Sequence, residues 1–389
     1  MSSAVSVTGV RDSGGNSLLS TPSRLMSLDL FRGATIAFMI LVNNGGDEAN
    51  SYWPLKHARW NGWTPTDLVF PFFLFIVGVA MAFAFNSRLK RGESRKKLLG
   101  HVLWRGLALF ALGVFINGFP NQYDLASLRV YGVLQRIAIC YVIAAILALW
   151  ADWRAWILAA VGCLVGYWLL MRFVPVPGLG LPTHDIPLLD PDRNLVAWLD
   201  RKLLAGHLYD GTRDPEGLLS TIPAVATSLL GLLAGEWLRS ERPAKIKTLG
   251  MVLLGLAGVV AGKILNLGFP INKKLWTSSY VVFTAGIALL VLALFYWVAD
   301  IRRWRGLWTK PLLVFGMNAI AAFVLSETVS AWLDNVHRGG MSWKDLIYQR
   351  VFEPLTSPAN ASLLYALVFV LVCWAAMWVL YRKGIFLKI

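Results

Sequence analysis

The sequence predicts an all-α polytopic membrane protein: a bundle of about ten transmembrane helices with both termini on the cytoplasmic side. Three observations predict it. Apolar stretches near the roughly 20 residues needed to cross a bilayer core recur through the 389-residue chain. The composition is 57% hydrophobic and 15% charged, against about 25% charged in an ordinary soluble domain. Lys and Arg collect in every second loop, and that bias sets orientation.

Residues 1–24 are rich in Ser and Gly without an apolar core, which predicts a disordered cytoplasmic tail ahead of one transmembrane unit covering 25–389. The predicted spans are 25–45, 68–86, 102–118, 130–150, 153–174, 217–238, 246–267, 276–299, 311–333 and 361–381. Span 1 carries Asp29 and Arg32 three apart, on one helix face where they can pair. Before span 2, Thr64 reads as a cap and Pro65 as the first helical residue. Arg88, Lys90, Arg91, Arg95, Lys96 and Lys97 divide spans 2 and 3. Arg239, Arg242, Lys245 and Lys247 follow span 6, and Arg302, Arg303, Arg305 and Lys310 follow span 8. Arg382, Lys383 and Lys388 end the chain. The positive-inside rule places all of these in the cytoplasm.

The opposite loops, 46–67, 119–129, 175–216, 268–275 and 334–360, are then outward and hold most of the acids. The first is dense in Gly, Asn and Trp, and its Trp53, Trp60 and Trp63 suit an interfacial belt. In the longest, residues 194–208 show apolar positions at helical spacing with Asp200, Arg201 and Lys202 on the other side. Such a helix lies on the membrane surface or covers an outward pocket as a lid. Asp214-Pro215-Glu216 reads as the opening of span 6.

The net charge of +15 punctuates spans instead of gathering on one soluble face, which excludes a nucleic-acid partner and leaves the lipid bilayer. Cys140, Cys163 and Cys373 lie inside spans, without a disulfide framework or metal-ligand spacing, so no metal is expected. No internal repeat supports an inverted-repeat transporter.

Asp29, Arg32, Arg136, Lys263, Asn318 and Glu327 fall within spans. A charge facing lipid costs about 3 kcal/mol or more, so each faces the bundle interior or a wet cavity, as a site or as glue between helices. Among five histidines, His101 lies on the cytoplasmic side and His184, His207 and His337 in outward loops. His57 alone sits among aromatics beside a span mouth, in KHARWN (56–61), where an imidazole can act as base or be transiently acylated.

The stretches SLDLFRG (27–33), KHARWNGWTPTDLVFPFFLFIVG (56–78), RVYGVLQRIAICY (129–141), DPEGLLSTIPAV (214–225), INKKLWTSSYV (271–281) and GMNAI (316–320) resemble the heparan-α-glucosaminide N-acetyltransferase family, in the family's order. The resemblance implies a membrane acyltransferase that moves the acetyl group of cytosolic acetyl-CoA to an amino sugar on the extracytoplasmic side. It implies His57 as the active histidine, Asn43 in VNNGG as a catalytic partner, and a dimer. Asn43 then suits the thioester oxyanion, and Asp67 orients His57 or serves as a helix-start charge. Arg32, Arg105, Arg136 and Lys263 are candidate acetyl-CoA contacts, although the positive-inside rule accounts for cytoplasmic charges without a ligand. Candidate acceptor contacts are Trp60, Asn61, Asp214, Glu216, Lys273 and Asn318. Direct transfer and an acetyl-His57 intermediate both fit. Larger animal members carry an extra lumenal region and span, so this compact chain suggests a bacterial inner membrane and an acceptor other than heparan. The competing class is a transporter or flippase of a sugar or lipid-linked saccharide.

Overall fold

The computed structural model describes residues 25–119 and 123–387, and the expected tail at 1–24 lies outside them. Helix α1 is Met26–Asn43, and α2 is Val69–Lys90, entered through a 3-10 turn at Pro65–Leu68. There follow α3 (Arg95–Gly118), α4 (Val133–Trp150), α5 (Trp153–Phe173), the short α6 (Leu195–Leu203), α7 (Thr221–Arg239) and α8 (Ala244–Leu265). Helix α9 (Ser278–Phe295) continues through a π turn to Ile301. Then come α10 (Thr309–Met317), α11 (Ala319–Asn335), a two-residue ribbon of β1 (His337–Arg338) and β2 (Met341–Ser342), α12 (Trp343–Ile347) and α13 (Pro358–Arg382). Among the described residues nine helices are long and apolar enough to cross a membrane. The protein is a multi-pass integral membrane protein.

The ninth expected span, 311–333, is broken. Helices α10 and α11 meet at a bend of 82°. Asn318 leaves helical geometry there (φ −123°, ψ 40°). Its amide donates to Ile385 O (3.1 Å) and accepts from Leu387 N (3.0 Å), so the C-terminal segment supplies the partners the helix gave up.

Helices α2 and α7 form the buried centre, while α3, α5 and α8 turn Leu103, Leu158 and Leu253 outward, as bilayer-facing helices do. The central pair closes on glycine. A Cβ on Gly78 would lie 2.0 Å from Ser228 O, and one on Gly231 2.0 Å from Phe75 O. Only bare backbone permits that approach.

Two local expectations change. Helix α7 begins at Thr221 instead of at Asp214-Pro215, where Asp214 Oδ1 accepts from Glu216 N (2.9 Å) in a separate turn and the same carboxylate meets Arg129. Helix α6 forms where an amphipathic helix was expected, capped by Asn194, whose side chain accepts from Ala197 N. Its buried stripe, however, is Val196, Ala197 and Asp200: Asp200 lies one helical turn from Val196 and points inward.

Candidate active site

His57 lies at the bundle end shared by the C-terminus of α1 and the start of α2. Its loop is docked on the segment before α9. Gly62 N donates to Ile271 O (2.7 Å), and Asn61 Oδ1 accepts from Asn272 Nδ2 (3.2 Å). Trp60 is anchored by its indole N–H on Leu189 O (2.7 Å), with the Arg213 guanidinium carbon 5.3 Å from its ring centre.

The start of α2 supplies the key carboxylate. Asp67 Oδ2 accepts from Thr64 N (2.9 Å) and Ala58 N (3.1 Å), completing a capping box with Thr64. Oδ1 is thereby aimed at His57 Nδ1, 2.7 Å away. Asp67 is 1% exposed, whereas the His57 side chain is 47% exposed. A carboxylate facing Nδ1 selects the tautomer with hydrogen on Nδ1 and leaves the Nε2 lone pair free. A base held this way can take a proton or carry an acyl group.

Lys273 completes the cluster. Its Nζ stands 3.2 Å from Nδ1 and 3.3 Å from Nε2 of His57, and 3.9 Å from Asp67 Oδ1. A nitrogen equidistant from both ring nitrogens in the ring plane would collide with Cε1, so Nζ stands over the ring face. Burial lowers the Lys273 pKa, against the opposing pull of Asp67 and Glu216.

A second cluster lies at the same end. Arg129 donates from Nε to Asp214 Oδ2 (2.8 Å) and from Nη2 to Asp214 Oδ1 (2.6 Å) and Glu216 Oε2 (2.5 Å). Burial works against the Arg129 charge, but the two carboxylates overcome it and hold its pKa above the usual value. Asp200 accepts from Leu218 N (3.0 Å), and burial pushes its pKa up to about 6. Arg136, fully buried on α4, donates to Gly217 O (3.0 Å) and Ser220, with Trp276 against its guanidinium. Among the described residues its Nε and Nη1 have no hydrogen-bond partner, nor do the amide atoms of Gln135 beside it. Trp276 packs edge-on to Tyr280, whose hydroxyl donates to the Asp67 carbonyl, so Arg136 lies beneath the His57 group.

The structure thus gathers His57, Asp67, Lys273, Trp60 and Asn61, with Asp214, Glu216 and Arg136 adjoining. Asn43 is the last residue of α1, at this same end of the bundle, and its amide donates to Glu327 of α11 (3.3 Å). The others are not gathered at the site. Arg32 pairs with Asp29 (3.5 Å) and reaches Gly316 O near the start of α1. Arg105 lies midway along α3 over the Tyr141 ring, and Lys263 is exposed on peripheral α8. Asn318 is at the far end of the bundle, since it binds residues beyond the C-terminus of α13, whose N-terminal end bonds Tyr52.

Sequence reasoning missed Arg129 and the inward face of Asp200. The signal for Arg129 was available: it is the one basic residue of the outward loop 119–129. Asp200 gave none, because its neighbours Arg201 and Lys202 mark the same stretch as polar.

Residues 24–263 match the family model described as heparan-alpha-glucosaminide N-acetyltransferase, catalytic. The chain is similar to the human heparan-alpha-glucosaminide N-acetyltransferase, 34% identical over 430 aligned residues covering 96% of this chain and 61% of the relative. It is 32% identical to the mouse protein of the same name, covering 95% of this chain and 61% of that one. The chain therefore spans about three fifths of the length of these curated relatives.

Proposed function

The chain belongs to the heparan-alpha-glucosaminide N-acetyltransferase family, and on that premise we propose that it moves the acetyl group of acetyl-CoA to the amino group of a glucosamine-like sugar across a membrane. The observation that carries this reading is the His57–Asp67 pair, 2.7 Å apart, on an imidazole that is 47% exposed. In direct transfer, Nε2 takes the proton of the sugar amine as its nitrogen attacks the thioester carbon. The C–S bond breaks, and the proton passes to the departing thiolate. In the two-step route, Nε2 itself bonds to the acetyl carbon, releases CoA thiol and then yields the acetyl group to the amine. Asp67 serves both routes by stabilising the imidazolium or acyl-imidazolium that forms.

Orientation follows from charge. The His57 end carries Asp67, Asp200, Asp214 and Glu216, while Arg88, Arg239 and Arg305 lie at the other. His57 then faces the extracytoplasmic side and the CoA phosphates stay near the cytoplasmic basic loops, since they cannot enter hydrocarbon. Arg136, whose Nε and Nη1 are unpaired among the described residues, would hold a carbonyl of the thioester or pantetheine arm. Trp60 offers a ring face to the sugar.

The test is purified protein in lipid nanodiscs with labelled acetyl-CoA and a panel of amino sugars. Label on a sugar, lost in His57→Ala, is the expected result. Sugar flux in vesicles without acetyl-CoA would favour the transporter instead, and absence of acetyl-CoA binding would overturn the proposal.

A further inference from the structure

We propose that Lys273 is a self-acetylation site: when acetyl-CoA is present without an acceptor, the Lys273 amine takes the acetyl group at His57 and closes the site. The inference rests on the acetyl-transfer reading and deepens it.

Three observations lead there. Lys273 Nζ is over the face of the His57 ring, 3.3 Å from Nε2. An acetyl group on Nε2 lies in the ring plane by conjugation, and a nucleophile must approach its carbonyl carbon from above that plane. Lys273 occupies that approach. A thioester brought to Nε2 in direct transfer presents its carbonyl to the same amine. Second, the lysine is held in place. Its segment is pinned by Asn272, whose Oδ1 accepts from Leu275 N (2.9 Å), and by Thr277, whose Oγ accepts from Asn272 N (3.0 Å). Third, burial lowers the Lys273 pKa, which raises the fraction of amine carrying a lone pair. Neighbouring Lys274 lines a separate recess with Asn194, Arg213 and Asp214.

The step balances. The Lys273 nitrogen bonds to the acetyl carbon, and the C–S bond to CoA, or the C–Nε2 bond to His57, breaks. The amine proton goes to His57 and then to the thiolate, leaving Nε-acetyl-lysine and CoA thiol. Unlike an acyl-imidazole, the amide does not pass its acetyl group on to an amine. It also removes the lysine charge beside Asp67 and leaves a neutral group over the imidazole. An acceptor amine in the site competes for the same carbonyl, so acceptor protects Lys273.

The full chain in nanodiscs is incubated with isotope-labelled acetyl-CoA, with and without saturating amino sugar, treated with hydroxylamine to strip acyl-imidazole, digested and sequenced by tandem mass spectrometry. The expected result is label on Lys273 and not on Lys56 or Lys274, suppressed by acceptor and formed about 10²-fold more slowly in His57→Ala. Labelled sugar with an unlabelled Lys273 would overturn this inference while leaving the transferase reading intact. Equal label on Lys56, Lys273 and Lys274 would also overturn it, as solution chemistry. No label on sugar or lysine would sink both.

Discussion

Arg129 and Asp214 meet through two parallel hydrogen bonds, 2.8 and 2.6 Å long, across 85 residues of sequence. The pair ties the approach to α4 to the approach to α7, and Glu216 joins it through the same guanidinium. Removing the arginine would strand two carboxylates that are almost wholly buried, at a cost of about 3–5 kcal/mol. Arg129→Met should therefore lower the thermal unfolding midpoint sharply. The triple change with Asp214→Asn and Glu216→Gln should recover most of the loss, because no orphan charge remains. Melting curves of the detergent-solubilised variants decide it; a single variant as stable as the parent would show the pair to be idle.

Asp67→Asn keeps the shape of the capping box and removes the charge facing His57. Ala58 N and Thr64 N require an acceptor at the Oδ2 position, so the amide oxygen stays there and the amide nitrogen turns to His57 Nδ1, where a donor forces the wrong tautomer. On the proposed reading turnover falls by about 10²–10⁴, with binding of acetyl-CoA nearly unchanged. The measurement is kcat beside a separate acetyl-CoA binding isotherm. A raised Kd with normal kcat would reassign Asp67 to loop structure.

Much of this was legible in the sequence, and the failures have physical causes. The apolar spans announce themselves because a bilayer imposes a length and forbids unpaired backbone. Thr64, Pro65 and Asp67 were readable as a helix start because capping is local chemistry. Asn318 misled because a mid-span amide looks like a site residue, whereas here it marks a helix break settled by a segment 67 residues away. Asp200 misled because three consecutive charged residues look like a solvated face, and only the helical phase set by Val196 turns the first of them inward. Lys273 reaches His57 through the docking of Asn61 on Asn272, a tertiary contact that no spacing rule encodes.

Asp200 supplies a pH dependence. Its pKa is about 6 in the folded protein and about 3.9 in an unfolded chain. Between those values the folded form holds a proton that the unfolded form has lost, so stability falls as pH rises from 4 to 6. The two-unit difference corresponds to about 2–3 kcal/mol, local to α6 and its contact with Leu218. Hydrogen exchange of α6 should be better protected at pH 5 than at pH 7.5, and Asp200→Asn should flatten that difference. Equal protection at both pH values in the parent would contradict the assignment.

The same glycine-to-alanine change should have opposite signs on two helices. On Gly78 the new Cβ would lie 2.0 Å from the Ser228 carbonyl oxygen, so α2 and α7 must part, costing about 1–3 kcal/mol or more. On Gly166 of α5 nothing lies within 4 Å, and alanine gains about 0.5–1 kcal/mol of helix propensity. Unfolding midpoints of Gly78→Ala and Gly166→Ala should bracket the parent.

Arg136 separates a binding role from a purely structural one. Among the described residues only its Nη2 finds partners, Gly217 and Ser220, and a buried guanidinium with Nε and Nη1 unpaired is costly unless a ligand or water completes it. If those free donors meet a carbonyl of acetyl-CoA, Arg136→Lys should raise the KM for acetyl-CoA by about 10–100-fold, equivalent to roughly 1.4–2.8 kcal/mol, because an ammonium cannot reproduce the fork. On the proposed reading the KM for the sugar should stay within about twofold, because the acceptor would reach His57 from its exposed side. Ser220→Ala removes a structural partner of Nη2 and leaves the free donors untouched, so it should change stability without that selective rise. Were both variants to lose stability equally and leave both KM values alone, Arg136 would be a strut between α4 and the turn before α7, with water completing its fork.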